Sequence, residues 1–146
     1  MERYKDFTLA IANLTRSIRK IKTAEMSKWN LKSQHVSCIY YLYTKGALTA
    51  TELCDICGED KANVSRSIEY LEENGYLACK ERVNRRYKTH YELTPLGLTV
   101  GQSIFERIEE VITKASHSVS EEDRRIMYKS LRAIDKNLQK IADEYN

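Results

Sequence analysis

The chain has 146 residues, of which 42% are hydrophobic and 31% charged, so it can form one domain with a buried core and is not a disordered or fibrous protein. Its formal net charge of +3 is too small to indicate a nucleic-acid partner by itself. Because the sequence has no run of about 18 apolar residues and no signal-peptide core, we expect no membrane contact and a cytoplasmic location.

The first and last predicted elements are amphipathic helices. Their apolar residues recur at alternating spacings of four and three, which places them on one stripe of each helix. Such stripes could close a monomeric bundle. A homodimer is favoured, because the two stripes flank the middle elements from opposite ends of the chain. We therefore expect dimerisation helices within 1–30 and 96–146, with contacts at Phe7, Ile11, Leu14, Ile18, Met127, Leu131, Ile134, Leu138 and Ile141.

Three shorter helices are predicted in the middle of the chain from their capping residues. Ser33 is a candidate N-cap for a helix that runs to Lys45. Thr49 and Glu52 have the spacing of a capping box, which predicts a second, short helix. Asp60 can cap a third helix, which is expected to end at Asn74-Gly75. The last two helices would be joined by a tight turn.

A two-stranded hairpin is predicted after Gly75, where the apolar period changes from helical to alternating. The loop between its strands is polar and basic, so it should project into solvent. Thr94-Pro95 then predicts the start of a long helix. The fold expected for this single domain, 1–146, is mainly α with a small β-hairpin wing, that is, a winged helix-turn-helix lobe at 31–95 between dimerisation helices.

The predicted helix from Lys61 to Asn74 has a polar face suited to the DNA major groove, and the basic wing is suited to phosphates or the minor groove. A structural alternative is that Arg66 of this helix forms a surface ion pair and that the wing charges protect an edge strand from aggregation. Because the wing carries more cations than edge protection requires, we favour DNA contact. The candidate DNA-binding residues are Lys61, Asn63, Ser65, Arg66, Arg82, Arg85, Arg86 and Lys88.

Three segments resemble the multiple antibiotic resistance regulator (MarR) family: TATELCDICG at 49–58, KANVSRSIEYLEENG at 61–75 and LTPLG at 93–97. The resemblance implies an obligate dimer with interlocking terminal helices that binds a pseudo-palindromic DNA site. It carries the family's DNA contacts onto Asn63, Ser65 and Arg66, and its wing arginine onto Arg86. The family wing often has an aspartate before its arginine pair, whereas this chain has Asn84.

Four cysteines and a group of tyrosines leave alternative functions open. Cys54 and Cys57 form a CxxC spacing that serves redox or zinc chemistry, but without a second motif we favour core packing for them, and likewise for Cys38 and Cys79. The tyrosines at positions 40, 41 and 43 could line a pocket for a small aromatic effector, although core packing is more common.

The leading hypothesis is a sequence-specific repressor of transcription. It would bind double-stranded DNA and be released by a small effector. A redox or metal-responsive switch at Cys54 and Cys57 is the main alternative, and a protein-interaction module without sequence readout is another. We expect no cofactor, no metal and no enzymatic activity, because the chain has no phosphate loop or nucleophile motif.

Overall fold

A computed structural model describes residues 3–81 and 88–145 of the chain. These residues form six α-helices, a short 3₁₀ helix at Ser27–Trp29 and three short β-strands. The helices are α1 Arg3–Met26, α2 Ser33–Lys45, α3 Ala50–Cys57, α4 Lys61–Glu73, α5 Pro95–Ala115 and α6 Glu121–Asp143. The strands are β1 Leu48–Thr49, β2 Leu77–Glu81 and β3 His90–Leu93. The expected fold, mainly α with a small winged sheet, is confirmed.

The chain divides into two compact units, Met1–Glu106 and Arg107–Asn146. The core of the first unit lies where α2, α3, α4 and the sheet meet. Burying a large aliphatic side chain contributes about 1.5–3 kcal/mol, so this cluster is the main source of stability in the unit. Its most deeply buried apolar side chains are Val36, Ile39, Leu53, Val64, Ile68, Leu71, Val100 and Ile104.

Most helix starts follow the predicted capping chemistry. Thr49 Oγ1 accepts from the Glu52 N–H at 3.2 Å, and Glu52 Oε2 accepts from the Thr49 N–H at 2.9 Å. Asp60 Oδ1 accepts from the backbone N–H three residues later, as does Ser120 Oγ at the start of α6. The prediction of Ser33 as the cap of α2 is wrong by one residue, since Lys32 occupies that position with an extended backbone.

The sheet has the order β1-β3-β2, with both pairs antiparallel. The predicted hairpin is present, and a register shift between Cys79 and Glu81 interrupts its ladder. Strand β1 was not predicted, because a two-residue strand has too short a pattern to detect. Its pairing of Leu48 with Tyr91 joins the end of α2 to the wing, and both side chains are buried.

The turn into α5 depends on a very close approach of two backbone segments. Thr94 Oγ1 donates to the Gly75 carbonyl and accepts from the Gly97 N–H at 3.1 Å. A Cβ placed on Gly97 would lie only 2.0 Å from the carbonyl oxygen of Tyr76. Since that oxygen also accepts from the Thr94 N–H, it cannot move without loss of a hydrogen bond. Glycine is therefore required at this position.

We predict that Gly97→Ala lowers the free energy of unfolding by about 1–3 kcal/mol, because α5 must shift to relieve the overlap with Tyr76. Urea denaturation followed by circular dichroism measures the change. Gln102→Ala, at an exposed position of the same helix, serves as the control and should change stability by less than about 0.5 kcal/mol. An equal effect of both substitutions would show that the close approach does not constrain the residue.

Candidate nucleic-acid interface

Helix α4 presents a polar face because its apolar face is buried. Val64, Ile68 and Leu71 are each at most 2% exposed, and the helix packs against α2 and α3. At 3.6 residues per turn, positions between these apolar residues must point away from the core. Lys61 and Arg66 are accordingly exposed. A helix with one buried and one polar face can be accommodated by the major groove of DNA.

Asn63 holds the side chain of Arg66 in place. The guanidinium donates through Nη2 to Asn63 Oδ1, and Asn63 Nδ2 donates to Glu59 Oε2 at 3.3 Å. The backbone N–H of Asn63 also donates to Asp60 Oδ1 at 2.7 Å. The guanidinium is thereby oriented before any ligand arrives. Ser65 is half-buried beside these residues.

The predicted wing contacts at Arg82, Arg85 and Arg86 lie outside the described residues. Lys88, the remaining predicted wing residue, is exposed just before β3. Lys80 is also exposed on β2. The described edges of the wing therefore present two cations to solvent.

A contact between α2 and α4 was missed in the sequence analysis. The rings of His35 and Tyr70 stack with centroids 4.3 Å apart and an interplanar angle of 2°. His35 Nδ1 accepts from the Lys32 N–H at 3.0 Å, which replaces the missing side-chain cap of α2. Burial, and secondarily the charge of Lys32, lower the pKa of His35, so the ring is neutral near neutral pH. The Tyr70 hydroxyl donates to the Asn30 carbonyl at 2.6 Å.

The aromatic group on α2 is half-buried and contacts α5. The ring of Phe105 lies 6.3 Å from that of Tyr40 and 5.7 Å from that of Tyr43, and Tyr40 meets Tyr41 edge-on at 5.2 Å. A Cβ on Gly101 would lie 3.0 to 3.2 Å from the Tyr43 side chain. The absence of a side chain at Gly101 therefore leaves room for the Tyr43 ring. The rings therefore pack together, which fits the structural interpretation of the tyrosines.

Only part of the expected core packing of the cysteines is confirmed. Cys38 is buried, whereas the other three cysteines are half-buried. The thiol of Cys38 donates a hydrogen bond to Cys57, and this bond, together with the charge of Lys22, lowers the pKa of Cys57. Burial and the charge of Asp55 raise the pKa of Cys54. The two members of the CxxC motif therefore have different environments.

Within residues 3–81 and 88–145, no cluster of three histidine, cysteine or carboxylate side chains has the arrangement of a metal site. No helix of those residues combines the length and apolar character needed to cross a membrane.

The apolar stripes of the terminal helices are exposed within the single chain. On α1 the exposed fraction ranges from 36% at Phe7 to 59% at Leu14. On α6 it reaches 51% at Leu138 and Ile141, and Leu131 is half-buried. None of the described residues of α6, Glu121–Asp143, is buried. These helices lack the cover that amphipathic helices normally have.

The fold and the exposed polar face of α4 define a winged helix-turn-helix protein. A sequence model of the MarR family matches residues 29–86, which cover α2, α3, α4 and β2. This part of the chain is similar in sequence to the MarR family. No curated protein matches the chain in sequence.

Solved structures of this family share the fold along nearly the whole chain. A MarR family regulator from Neisseria meningitidis is 18% identical, with a TM-score of 0.83 and coverage of 100% of both chains. A putative MarR family regulator from Listeria monocytogenes, complexed with 26mer DNA, is 21% identical, with a TM-score of 0.82 over 90% of this chain and 87% of its own. MarR from Staphylococcus aureus, with salicylate and kanamycin, is 14% identical, with a TM-score of 0.81 over 94% and 93%.

We predict that iodoacetamide alkylates Cys57 of the native protein faster than Cys54. The thiolate is the nucleophile, and the pKa of Cys57 is lowered whereas that of Cys54 is raised. The rate at Cys57 should fall as the pH drops through this lowered pKa. Peptide mass spectrometry after timed quenching measures both rates.

Cys38→Ala is the informative variant, because it removes the hydrogen bond to Cys57. Its alkylation profile should move to higher pH, while that of Cys54 stays in place. Faster modification of Cys54 in the wild-type protein would contradict the assignment.

Proposed function

We propose that the chain is a DNA-binding transcriptional regulator that inserts α4 into the major groove. The observation that carries this proposal is the exposed guanidinium of Arg66, held by Asn63 on the polar face of a helix whose opposite face is buried. A fixed guanidinium can donate two hydrogen bonds to the O6 and N7 atoms of guanine, and preorganisation reduces the entropy lost on binding.

The neighbouring polar residues would extend this contact. Lys61 at the start of α4 and the half-buried Ser65 are suited to phosphate or base contacts. The wing residues Arg82, Arg85, Arg86 and Lys88 would reach the minor groove or the backbone. The MarR structure from Listeria monocytogenes with 26mer DNA supports a role of this fold in DNA binding.

We further propose that the regulator is a homodimer. The exposed stripes of α1 and α6 need an apolar partner surface, and a second copy of the chain supplies one with two-fold symmetry. Two copies of α4 would then read two half-sites of a pseudo-palindromic operator, spaced by about one helical turn, ~34 Å.

Repression relieved by a small aromatic effector is the regulatory part of the proposal. Tyr40, Tyr43 and Phe105 pack together between α2 and α5 but are only half-buried, so their exposed parts are where an aromatic ligand would make contact. The salicylate complex of Staphylococcus aureus MarR shows that a protein of this fold binds an aromatic carboxylate. A ligand that favours one spacing of the α4 helices would change operator affinity.

A thiol switch is a second candidate function, favoured by the environment of Cys57. The hydrogen bond from Cys38 and the charge of Lys22 support a reactive thiolate at this position. In a redox form of this switch, Cys57 would pair with Cys54. A metal-responsive form has no supporting cluster of ligands among the described residues.

We predict that a selection from genomic DNA fragments, at fixed salt, recovers an inverted repeat with the wild-type protein. Arg66→Ala should weaken binding to that site by about 1–3 kcal/mol and relax the preference at one position of each half-site. Fluorescence anisotropy measures the affinities. Arg125→Ala, which removes an exposed arginine paired with Glu122 on α6, is the control and should bind normally.

Binding without any preferred sequence, or equal losses for both arginine variants, would contradict readout by α4. The interaction-module hypothesis would then be favoured, because it expects weak affinity that depends uniformly on salt.

The dimer is tested by a charge placed on the exposed stripe of α6. We predict that Leu138→Asp shifts the protein towards the monomer, because the interface would have to bury an unpaired carboxylate. Sedimentation velocity over a range of concentrations measures the effect. Asn137→Asp adds the same charge one position away on an exposed site and should remain dimeric. A wild-type protein that sediments as a monomer at all concentrations would refute the dimer.

A further inference from the structure

Glu59 occupies the turn of the helix-turn-helix, between the end of α3 and the start of α4. Gly58 closes α3 in the left-handed region, at φ 64°, and its N–H donates to the Cys54 carbonyl at 3.0 Å. On the other side of Glu59, Asp60 caps α4. Two capped helix ends fix the backbone of the residue between them. Because Glu59 is also half-buried, its carboxylate has a defined position at the foot of α4.

The chemistry of three side chains allows only one orientation of the Asn63 amide. A carboxylate can only accept hydrogen bonds and a guanidinium can only donate them, whereas an amide accepts with its oxygen and donates with its nitrogen. Asn63 Nδ2 donates to Glu59 Oε2 at 3.3 Å, and Oδ1 accepts from Arg66 Nη2. A reversed amide would place donor against donor and acceptor against acceptor. Glu59 therefore determines that the oxygen of Asn63 faces Arg66.

A second asparagine–arginine pair in the chain lacks this anchor. Arg16 Nη1 donates to Asn13 Oδ1 at 3.1 Å, with the same spacing of three residues on α1. Within residues 3–81 and 88–145, no carboxylate accepts a hydrogen bond from the Asn13 amide. The residue four positions before Asn13 is Leu9, whereas the residue four positions before the asparagine of α4 is a glutamate. The pair on α1 is thus an internal control for the anchored pair on α4.

Both ends of the Asn63 amide are engaged within the protein. An asparagine reads adenine with its amide oxygen and nitrogen together, which bond to the N6 and N7 atoms of the base. Here Nδ2 is on Glu59 and Oδ1 is on Arg66, so neither is presented for that contact. A guanidinium that gives one N–H to an asparagine still has enough donors for a bidentate contact with guanine.

We propose that Glu59 is a specificity-determining residue that positions Arg66 through Asn63, and that Arg66 rather than Asn63 contacts the base. This inference rests on the proposed DNA-binding function, because it concerns which side chain of α4 reads the sequence. Without the carboxylate, the Asn63 amide is free to rotate and the guanidinium loses its fixed acceptor. Arg66 then loses more conformational entropy on binding, which lowers the affinity for the correct base about two- to tenfold.

The charge of Glu59 has an effect of the opposite sign on general DNA affinity. A carboxylate close to the groove repels the phosphates of any sequence. Loss of Glu59 should therefore raise the affinity for a duplex that lacks the site, while it weakens discrimination between sequences. A residue that only supports the fold would lower both quantities when it is removed.

Glu59→Gln and Glu59→Ala separate the acceptor from the charge. Both substitutions remove the charge, but a glutamine oxygen can still accept from Asn63 Nδ2. Fluorescence anisotropy at one salt concentration measures affinity for the selected site and for the same duplex with the Arg66-dependent base pair replaced. We expect Glu59→Gln to keep the wild-type ratio of the two affinities and Glu59→Ala to lower it about two- to tenfold. Affinity for the altered duplex should rise equally in both variants.

Asn63→Ala interrupts the same chain of hydrogen bonds in its middle. It should relax the preference at the base pair that Arg66→Ala relaxes and at no other. In the Arg66→Ala background, Glu59→Ala should leave the ratio of affinities unchanged, because the side chain through which Glu59 acts is absent. A second relaxed position in Asn63→Ala would show that Asn63 itself reads a base, and would overturn the assignment.

A measurement without DNA separates the failure of this inference from the failure of the proposed function. NMR relaxation of the arginine Nε–H groups measures how strongly each guanidinium is restrained. We expect a higher order parameter at Arg66 than at Arg16. Glu59→Ala should lower the Arg66 value to that of Arg16, and Glu59→Gln should preserve it.

Equal affinity ratios for Glu59→Gln and Glu59→Ala, with an unchanged order parameter at Arg66, overturn the inference. If the wild-type protein prefers no sequence, the proposed function fails, and the relaxation measurement still decides whether Glu59 holds Arg66.

Discussion

The orientation of α4 depends on the burial of one apolar stripe. Val64, Ile68 and Leu71 lose nearly all contact with solvent, and together they contribute several kcal/mol at about 1.5–3 kcal/mol for each side chain. A rotation of the helix by one residue would expose them, at a cost larger than any single polar contact on the opposite face. The hydrophobic core therefore sets the direction of Arg66, and hydrogen bonds only refine it.

The refinement comes from polar groups that the core leaves at its edge. Asn63 connects Arg66 to Glu59 within one helix and its capping loop. On the other side, Tyr70 stacks on His35 and donates to the carbonyl of Asn30, which joins α4 to the segment after α1. Helix α4 is thus tied by polar contacts to the start of α2 and to the segment before it.

Sequence reasoning succeeded where the relevant chemistry is local. The caps by Thr49, Asp60 and Ser120 involve partners three residues away, so each could be recognised from spacing alone. Helical periodicity likewise indicated which face of α4 is buried. These short-range rules were sufficient to predict the helix-turn-helix, most helix boundaries and the exposed position of Arg66.

The contacts that escaped prediction join residues far apart in the chain. His35 and Tyr70, Cys38 and Cys57, and Gly97 and the Tyr76 carbonyl meet only after the core has formed. The CxxC motif pairs Cys57 with Cys54 in the sequence, whereas the hydrogen-bonded partner of Cys57 is Cys38 on another helix. No local pattern specifies such pairs, because packing of the intervening elements determines which side chains face one another.

The exposed apolar faces of the terminal helices bear on how the protein assembles. An amphipathic helix as long as α6, with 23 residues, gains most of its stability from packing of its apolar face rather than from helix propensity. None of the described residues of α6 is buried, so its apolar face needs a further surface to pack against. If a second copy supplies that surface, the contacts that stabilise α6 also hold the two chains together. The stability of α6 and the assembly of the protein would then depend on one interface.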